Sequence, residues 1–269
     1  MDNDCYFTVD FGCNFANPKR YPENKLSQLL TDSYNDGVDK CVSISNNIFE
    51  SKLNLSLTTK YNNLYHTIGI HPHNASQFKE ADIQFLESNI NNSKCIAIGE
   101  CGLDYNRMFS PKDKQIEVFN LQIDIAKKHN ANLYLHCRDA YDDFISILKN
   151  KNYYKGIVHC FTGTLDQALE LTSLGLKLGI TGWLLDNRRN RDLVNAIKDK
   201  RITLDMLLIE TDAPFMPIRL SKESIPSDTA YIVQEIARLK NIDEVKCGKI
   251  LYKNAINFLE KKSVFVQDL

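Results

Sequence analysis

Glycine and proline are scarce, eleven and seven in 269 residues, and no Ser-, Gly- or Pro-rich stretch divides the chain. A low-complexity linker is thereby excluded, and one domain over 1–269 is the expectation. No apolar run approaches the length that spans a bilayer. The first residues, Met1-Asp2-Asn3-Asp4, lack the basic and apolar regions of a secretory signal. No membrane association is expected, and the expected location is the cytoplasm, or the nucleus as well in a eukaryotic cell. The eight cysteines (5, 13, 41, 95, 101, 137, 160 and 247) contain no Cys-x-x-Cys pair, so buried thiols are expected rather than disulfides. An excess of one charge is missing too. Lys and Arg number 33 against 34 Asp and Glu, for a net charge of -1. That argues against a protein that coats nucleic acid through a broad basic face, while leaving room for a local basic mouth. The sequence has no solenoid-type repeat, and it gives no sign of an obligate protein partner.

What the chain does have is a recurring alternation. Short apolar or β-branched runs fall at 6–9, 41–44, 64–70, 95–98, 132–135, 156–158, 176–180 and 206–209. Between them lie helix-spaced apolar residues such as Leu26, Leu29 and Leu30, or Ile116, Phe119, Ile123 and Ala126. Pro22-Glu23 and Ser110-Pro111 mark helix starts, the second as an N-cap followed by proline. Eight such units predict an α/β protein, a (β/α)8 TIM barrel with a parallel sheet under helices.

A barrel builds its active site at the C-terminal strand ends. There the sequence places Asp10 and Asn14, Asn46 and Asn47, His71 and His73, Glu100 and Asp104, His136 and Arg138, His159, Trp183, and Glu210 with Asp212. Four of the six histidines fall at these ends. Glu100, His136, His159 and Asp212 form a mixed nitrogen and oxygen set that suits Zn, Mn, Fe or Mg. Buried together without a cation, such groups would ionise beside one another at large cost. Cys137 and Cys160 are expected in the wall, not as ligands. The Arg188, Arg189 and Arg191 run reads first as a solvated face, with phosphate contact as the alternative. Trp183, the single Trp, reads first as packing and second as a base-stacking platform.

The segments Ile98-Gly99-Glu100-Cys101-Gly102-Leu103-Asp104, Leu135-His136-Cys137-Arg138-Asp139-Ala140, His159-Cys160-Phe161-Thr162-Gly163-Thr164 and Ile209-Glu210-Thr211-Asp212-Ala213-Pro214 resemble the TatD family of metal-dependent deoxyribonucleases. The likeness runs in order from about Val9 to Pro214, with a weaker echo at 254–259. It implies an amidohydrolase-type barrel, one or two divalent cations and phosphodiester hydrolysis on DNA. By motif, Glu100 matches the carboxylate shared by two metals, His136 and His159 match ligands of one ion, and Asp212 matches the strand-eight ligand that takes the proton of the attacking water. His71 matches a histidine facing substrate phosphate; His73, Asp104 and Arg138 fall among the substrate-binding positions.

Most of the family carries His-x-His after the first strand, where this chain has Gly12 and Asn14. The same replacement, with His71-Pro72-His73 and Thr181-Gly182-Trp183, is similar to the narrower bacterial and eukaryotic subgroup of 3′-to-5′ exonucleases on single-stranded DNA. The expectation is therefore one well-formed metal site, filled by Mg2+ first and by Mn2+ or Zn2+ as alternatives, with a second that fills only beside substrate phosphate. Phe161 and Trp183 are candidates to stack on a frayed end. The expected substrate is single-stranded DNA or frayed ends, with RNA as an alternative, in DNA repair or DNA degradation. Two rivals stand beside this reading: a deacylase using the same ligands, and a nucleic-acid-binding barrel with reduced catalysis.

Overall fold

The computed structural model describes residues 5–218 and 222–260. It contains eight strands, β1 (Thr8–Cys13), β2 (Val38–Ser43), β3 (Leu64–Ile68), β4 (Cys95–Asp104), β5 (Asn132–Arg138), β6 (Gly156–Val158), β7 (Lys177–Ile180) and β8 (Leu207–Ile209), in one sheet ordered as in the sequence. The helices are α1 (Glu23–Asn35), α2 (Ile48–Lys60), α3 (Glu80–Asn89), α4 (Lys112–Lys128), α5 (Tyr141–Lys151), α6 (Leu165–Ser173), α7 (Arg191–Lys198), α8 (Thr229–Lys240) and α9 (Glu244–Glu260). The pairs β3–β4, β4–β5, β5–β6 and β7–β8 are parallel, as a helix returning the chain after each strand requires. The fold is a (β/α)8 barrel. Each strand expected from the apolar runs is present.

Two compact units share the chain, one made of residues up to Val42 and from Cys160 onward, the other of Ser43–His159. In the first, Cys13 bridges Ala213 in parallel and Asn14 N–H bonds the Ala213 carbonyl at 2.7 Å, bringing the first strand to the end of the eighth. Phe11 of β1 meets Phe258 of α9 edge-on at 5.4 Å. Asn254, in the segment of weaker family likeness, donates to the Leu204 and Leu207 carbonyls and ties α9 to the start of β8. In the second unit, Phe119 of α4 lies parallel to Phe144 of α5 with ring centres 5.6 Å apart. Both rings are buried, so this contact joins two helices through apolar area removed from water.

The start of α4 and the ends of β4 and β5 differ from the sequence expectation. Ser110 does not cap α4: its hydroxyl donates to the His73 carbonyl at 2.9 Å, and Pro111 takes the N-cap position. A tertiary acceptor has outcompeted the local one. β4 and β5 also run past their apolar cores, so Glu100, Asp104, His136 and Arg138 lie within strands rather than after them. All eight cysteines are free thiols. Among the described residues no helix is long and apolar enough to cross a membrane.

Candidate metal centre and active site

The site begins with an irregularity in β4. Gly99 pairs with Tyr134 and Cys101 with Leu135, which leaves Glu100 as an extra residue in the ladder. Such a bulge re-aims one side chain. Glu100 sends its N–H to the Ser45 carbonyl at 2.9 Å. Gly99 has φ +150°, and a Cβ there would lie 2.2 Å from the Tyr134 carbonyl oxygen. Only glycine fits that approach, so the Gly-Glu pair is set by the backbone as much as by chemistry.

Three imidazoles converge on this carboxylate, all within the Ser43–His159 unit. From Glu100 Oε1, His136 Nδ1 lies at 2.6 Å, His71 Nε2 at 3.5 Å and His159 Nε2 at 4.0 Å. His71, Glu100 and His136 offer ligand atoms within 4.8 Å of one another. Glu100, His71 and His159 are buried, and His136 is partly buried.

The remaining ring nitrogens separate these histidines. His136 Nε2 faces Asp104 Oδ2 at 3.3 Å, and His159 Nδ1 faces the Tyr134 hydroxyl at 2.8 Å. The Tyr134 contact leaves His159 Nε2, aimed at Glu100, able to present a lone pair, while His136, between two carboxylates, would present one from Nδ1 once a cation replaces the proton there. His71 is arranged the opposite way. Its Nδ1 accepts the His73 N–H at 3.0 Å, so the neutral ring carries its proton on Nε2, toward Glu100. In that tautomer His71 Nε2 is a hydrogen-bond donor, not a lone pair for a cation.

The electrostatics agree. Burial lowers His71 from the ordinary imidazole range to about 3, so the ring is neutral at pH 7. Burial alone would raise Glu100, but the facing His159, His71 and His136 outweigh it and hold the carboxyl well below its usual range. Burial works against protonated His136, yet the Asp104 and Glu100 carboxylates raise it. Asp104 is lowered: burial pushes it up, and the His136 bond and backbone donors pull it further down.

Asp104 organises the outer side of the cluster. Its Oδ2 also contacts His73 Nε2 at 2.7 Å, while Oδ1 accepts the N–H groups of Asn106 and Arg107 at 3.0 and 2.8 Å. Buried Gln115 closes the turn, accepting the Asp104 N–H and donating to the Asp104 and Ser110 carbonyls. Arg138 ends β5 with its side chain exposed.

The other unit holds Asp212, partly buried and with φ +58°, a left-handed conformation that costs a non-glycine residue about 1–3 kcal/mol. It is braced from β1. Asp10, fully buried, accepts the Thr211 N–H at 2.8 Å and the Thr211 hydroxyl at 2.5 Å, and Asn14 Nδ2 donates to Asp212 Oδ1 at 2.9 Å. Glu210 is fully buried and accepts the Cys160 N–H at 2.5 Å. Phe161, expected as a stacking candidate, is 5% exposed. Trp183 is partly buried with the Arg189 guanidinium 3.8 Å from its ring centre, so one face is already covered. Arg188 and Arg189 both pair with Asp186 at 2.8 Å, which favours the solvated-face reading of that run.

Tyr134 and Gln115 are neighbours of the cluster that the sequence reading did not single out, and it placed Asn14 and Glu210 at strand ends without their contacts. Tyr134 had a signal: it stands two residues before His136, on the same face of its strand. The others depend on contacts between distant segments.

Comparison with known proteins places this geometry. The model of the TatD related DNase family matches residues 9–260. A protein of Pectobacterium atrosepticum named 3′-5′ ssDNA/RNA exonuclease TatD is 34% identical over 255 residues, covering 91% of this chain and 96% of its own. Its namesake in Erwinia tasmaniensis is 36% identical over 230 residues, covering 82% and 87%. Among solved structures, a TatD homologue from Escherichia coli superposes with a TM-score of 0.85 at 25% identity, covering 93% of this chain and 97% of that one. A TatD family hydrolase from Entamoeba histolytica gives the same score and identity, covering 94% and 98%. The chain belongs to the TatD family of DNases.

Proposed function

We propose that the protein is a metal-dependent exonuclease that removes nucleotides in the 3′-to-5′ direction from single-stranded DNA, with RNA as a second substrate. The observation that carries this reading is the convergence of His136 Nδ1 and His159 Nε2 on Glu100 Oε1, each with its far nitrogen engaged. That donor set fits a divalent cation, because a carboxylate held ionised and two oriented imidazoles are what such an ion requires. Glu100, His136 and His159 would hold it, with Mg2+ the first choice and Mn2+ or Zn2+ the alternatives; Asp212 is the fourth ligand by motif. The chemistry such an ion would supply there is polarisation of a phosphate oxygen and a lowered pKa of water.

The chain's own groups do the rest. Asp212, oriented by the Asn14 amide, accepts the proton of the attacking water. His71 donates a hydrogen bond from Nε2–H to a nonbridging phosphate oxygen, a role that its tautomer favours over ligation. His73, fixed by Asp104, and exposed Arg138 bind the neighbouring phosphate. Trp183 offers its uncovered face to a base. The whole chain acts as one barrel domain, and its eight free thiols suit the reducing cytoplasm.

The test is incubation with end-labelled single-stranded DNA, double-stranded DNA and RNA, with Mg2+, Mn2+ or EDTA, beside Glu100→Ala and Asp212→Ala. A ladder shortening from the 3′ end, lost in EDTA and in both variants, is expected. Cleavage that survives both substitutions overturns the mechanism.

A further inference from the structure

We propose that Phe109 is a nucleobase platform, stacking on a base next to the scissile phosphate. The proposal rests on the exonuclease reading of the neighbouring site. Phe109 is the most exposed large apolar side chain among the described residues, with 70% of its surface open, and Met108 beside it is 51% exposed. A lone exposed Phe on a mobile loop would need no explanation. Here the ring is held. Its centre lies 4.9 Å from His73, edge to face; His73 lies 4.2 Å from His71, and His71 reaches Glu100 at 3.5 Å. The phenyl is thus the solvent end of a continuous series of rings leading to the buried carboxylate.

The backbone on both sides of Phe109 is pinned by buried polar groups. Asp104 Oδ1 takes the Asn106 and Arg107 N–H groups, and the Phe109 N–H bonds the Arg107 carbonyl at 2.8 Å. On the far side Ser110, fully buried, donates to the His73 carbonyl and accepts the Ser76 N–H, while Gln115 donates to the Ser110 carbonyl. The carboxylate that orients His73 and His136 therefore also shapes the turn presenting the phenyl. An apolar ring fixed in water beside phosphate-binding groups matches the flat face of a base. Stacking of this kind tolerates every base, as a nonspecific exonuclease needs.

The experiment compares wild type with Phe109→Ala and Phe109→Trp on two oligonucleotides, one with all bases and one abasic in its last two 3′ nucleotides. Hydrolysis in Mg2+ is joined by a binding measurement in EDTA that uses 2-aminopurine fluorescence at the 3′ end. On the complete strand Phe109→Ala should raise KM by about 10-fold with kcat kept, and should lose the stacking quench. Phe109→Trp should keep both. On the abasic strand wild type and Phe109→Ala should coincide. Equal behaviour of wild type and Phe109→Ala on the complete strand, or an equal loss on the abasic strand, overturns the platform while leaving the exonuclease intact. A wild-type protein that neither cleaves nor binds the complete strand overturns the exonuclease reading, and the platform with it.

Discussion

Asn14 points its amide nitrogen at Asp212, 2.9 Å from Oδ1, with the Asp212 and Ala213 carbonyls at 3.4 and 3.3 Å from the same atom. All three of these partners are acceptors, which fits the nitrogen and not the oxygen at this position. Asn14 is thus a donor that orients the carboxylate proposed as proton acceptor. Asn14→Ala should lower kcat by about 10-fold with little change in KM, because only orientation is lost. Asn14→Asp should be worse and should shift the acid limb of the pH–rate profile upward, since a second carboxylate raises the pKa of the first. An unshifted profile in Asn14→Asp would show that the contact has no part in the reaction.

Tyr134 faces His159 Nδ1 with a fully buried hydroxyl. Tyr134→Phe keeps the ring but removes that acceptor. Outer partners of ligating histidines typically matter by 10-fold or more, so Mn2+ affinity should weaken by about 10-fold in a calorimetric titration of the metal-free protein. Unchanged affinity would place the hydroxyl outside the metal centre's support.

Neutral His71 should leave a signature in acid stability. Its folded pKa, about 3, lies below the ordinary value of 6.5. Between those values the unfolded chain binds a proton that the folded chain refuses. The contribution is therefore present above pH 6.5 and is lost as pH falls toward 3. In EDTA, the wild-type urea midpoint should drop more steeply than that of His71→Gln over this window. The difference in slope should reach at most about 1.4 kcal/mol per pH unit. Parallel slopes would contradict the neutral, buried ring.

Glu210 and Gly179 should behave as a pair. A Cβ on Gly179 would lie 2.2 Å from Glu210 Oε1, the oxygen that accepts the Cys160 N–H. Gly179→Ala must displace that carboxylate, and Glu210→Ala removes it; each should destabilise by about 1–3 kcal/mol in thermal unfolding. Glu210→Gln retains an acceptor oxygen and should lie between these and wild type.

The barrel was legible because each buried strand is a short apolar run followed by a helix-spaced segment, and local sequence carries both signals. The carboxylate and imidazoles were legible because they follow those runs. Asp104 and His73 were read as neighbours of the site, but not Asp104's part in shaping the next turn, which needs Gln115 from α4. Ser110 misled for a related reason: it has the chemistry of a cap, yet His73 supplies its acceptor. Phe109 escaped notice because a single exposed phenyl has meaning only beside the His73 ring.

The extra residue at Glu100 also sets the parity of everything after it in β4. Side chains alternate between two faces of a strand, so the facing of Asp104 depends on the length of chain that precedes it. Removing one residue between Gly99 and Leu103 would move Asp104 into the place of Leu103 and Tyr105 into that of Asp104, turning the carboxylate away from the imidazoles. For this stretch the spacing is as much a part of the active site as the side chains it carries, and an enzyme tolerant of point changes there would still be intolerant of a single deletion.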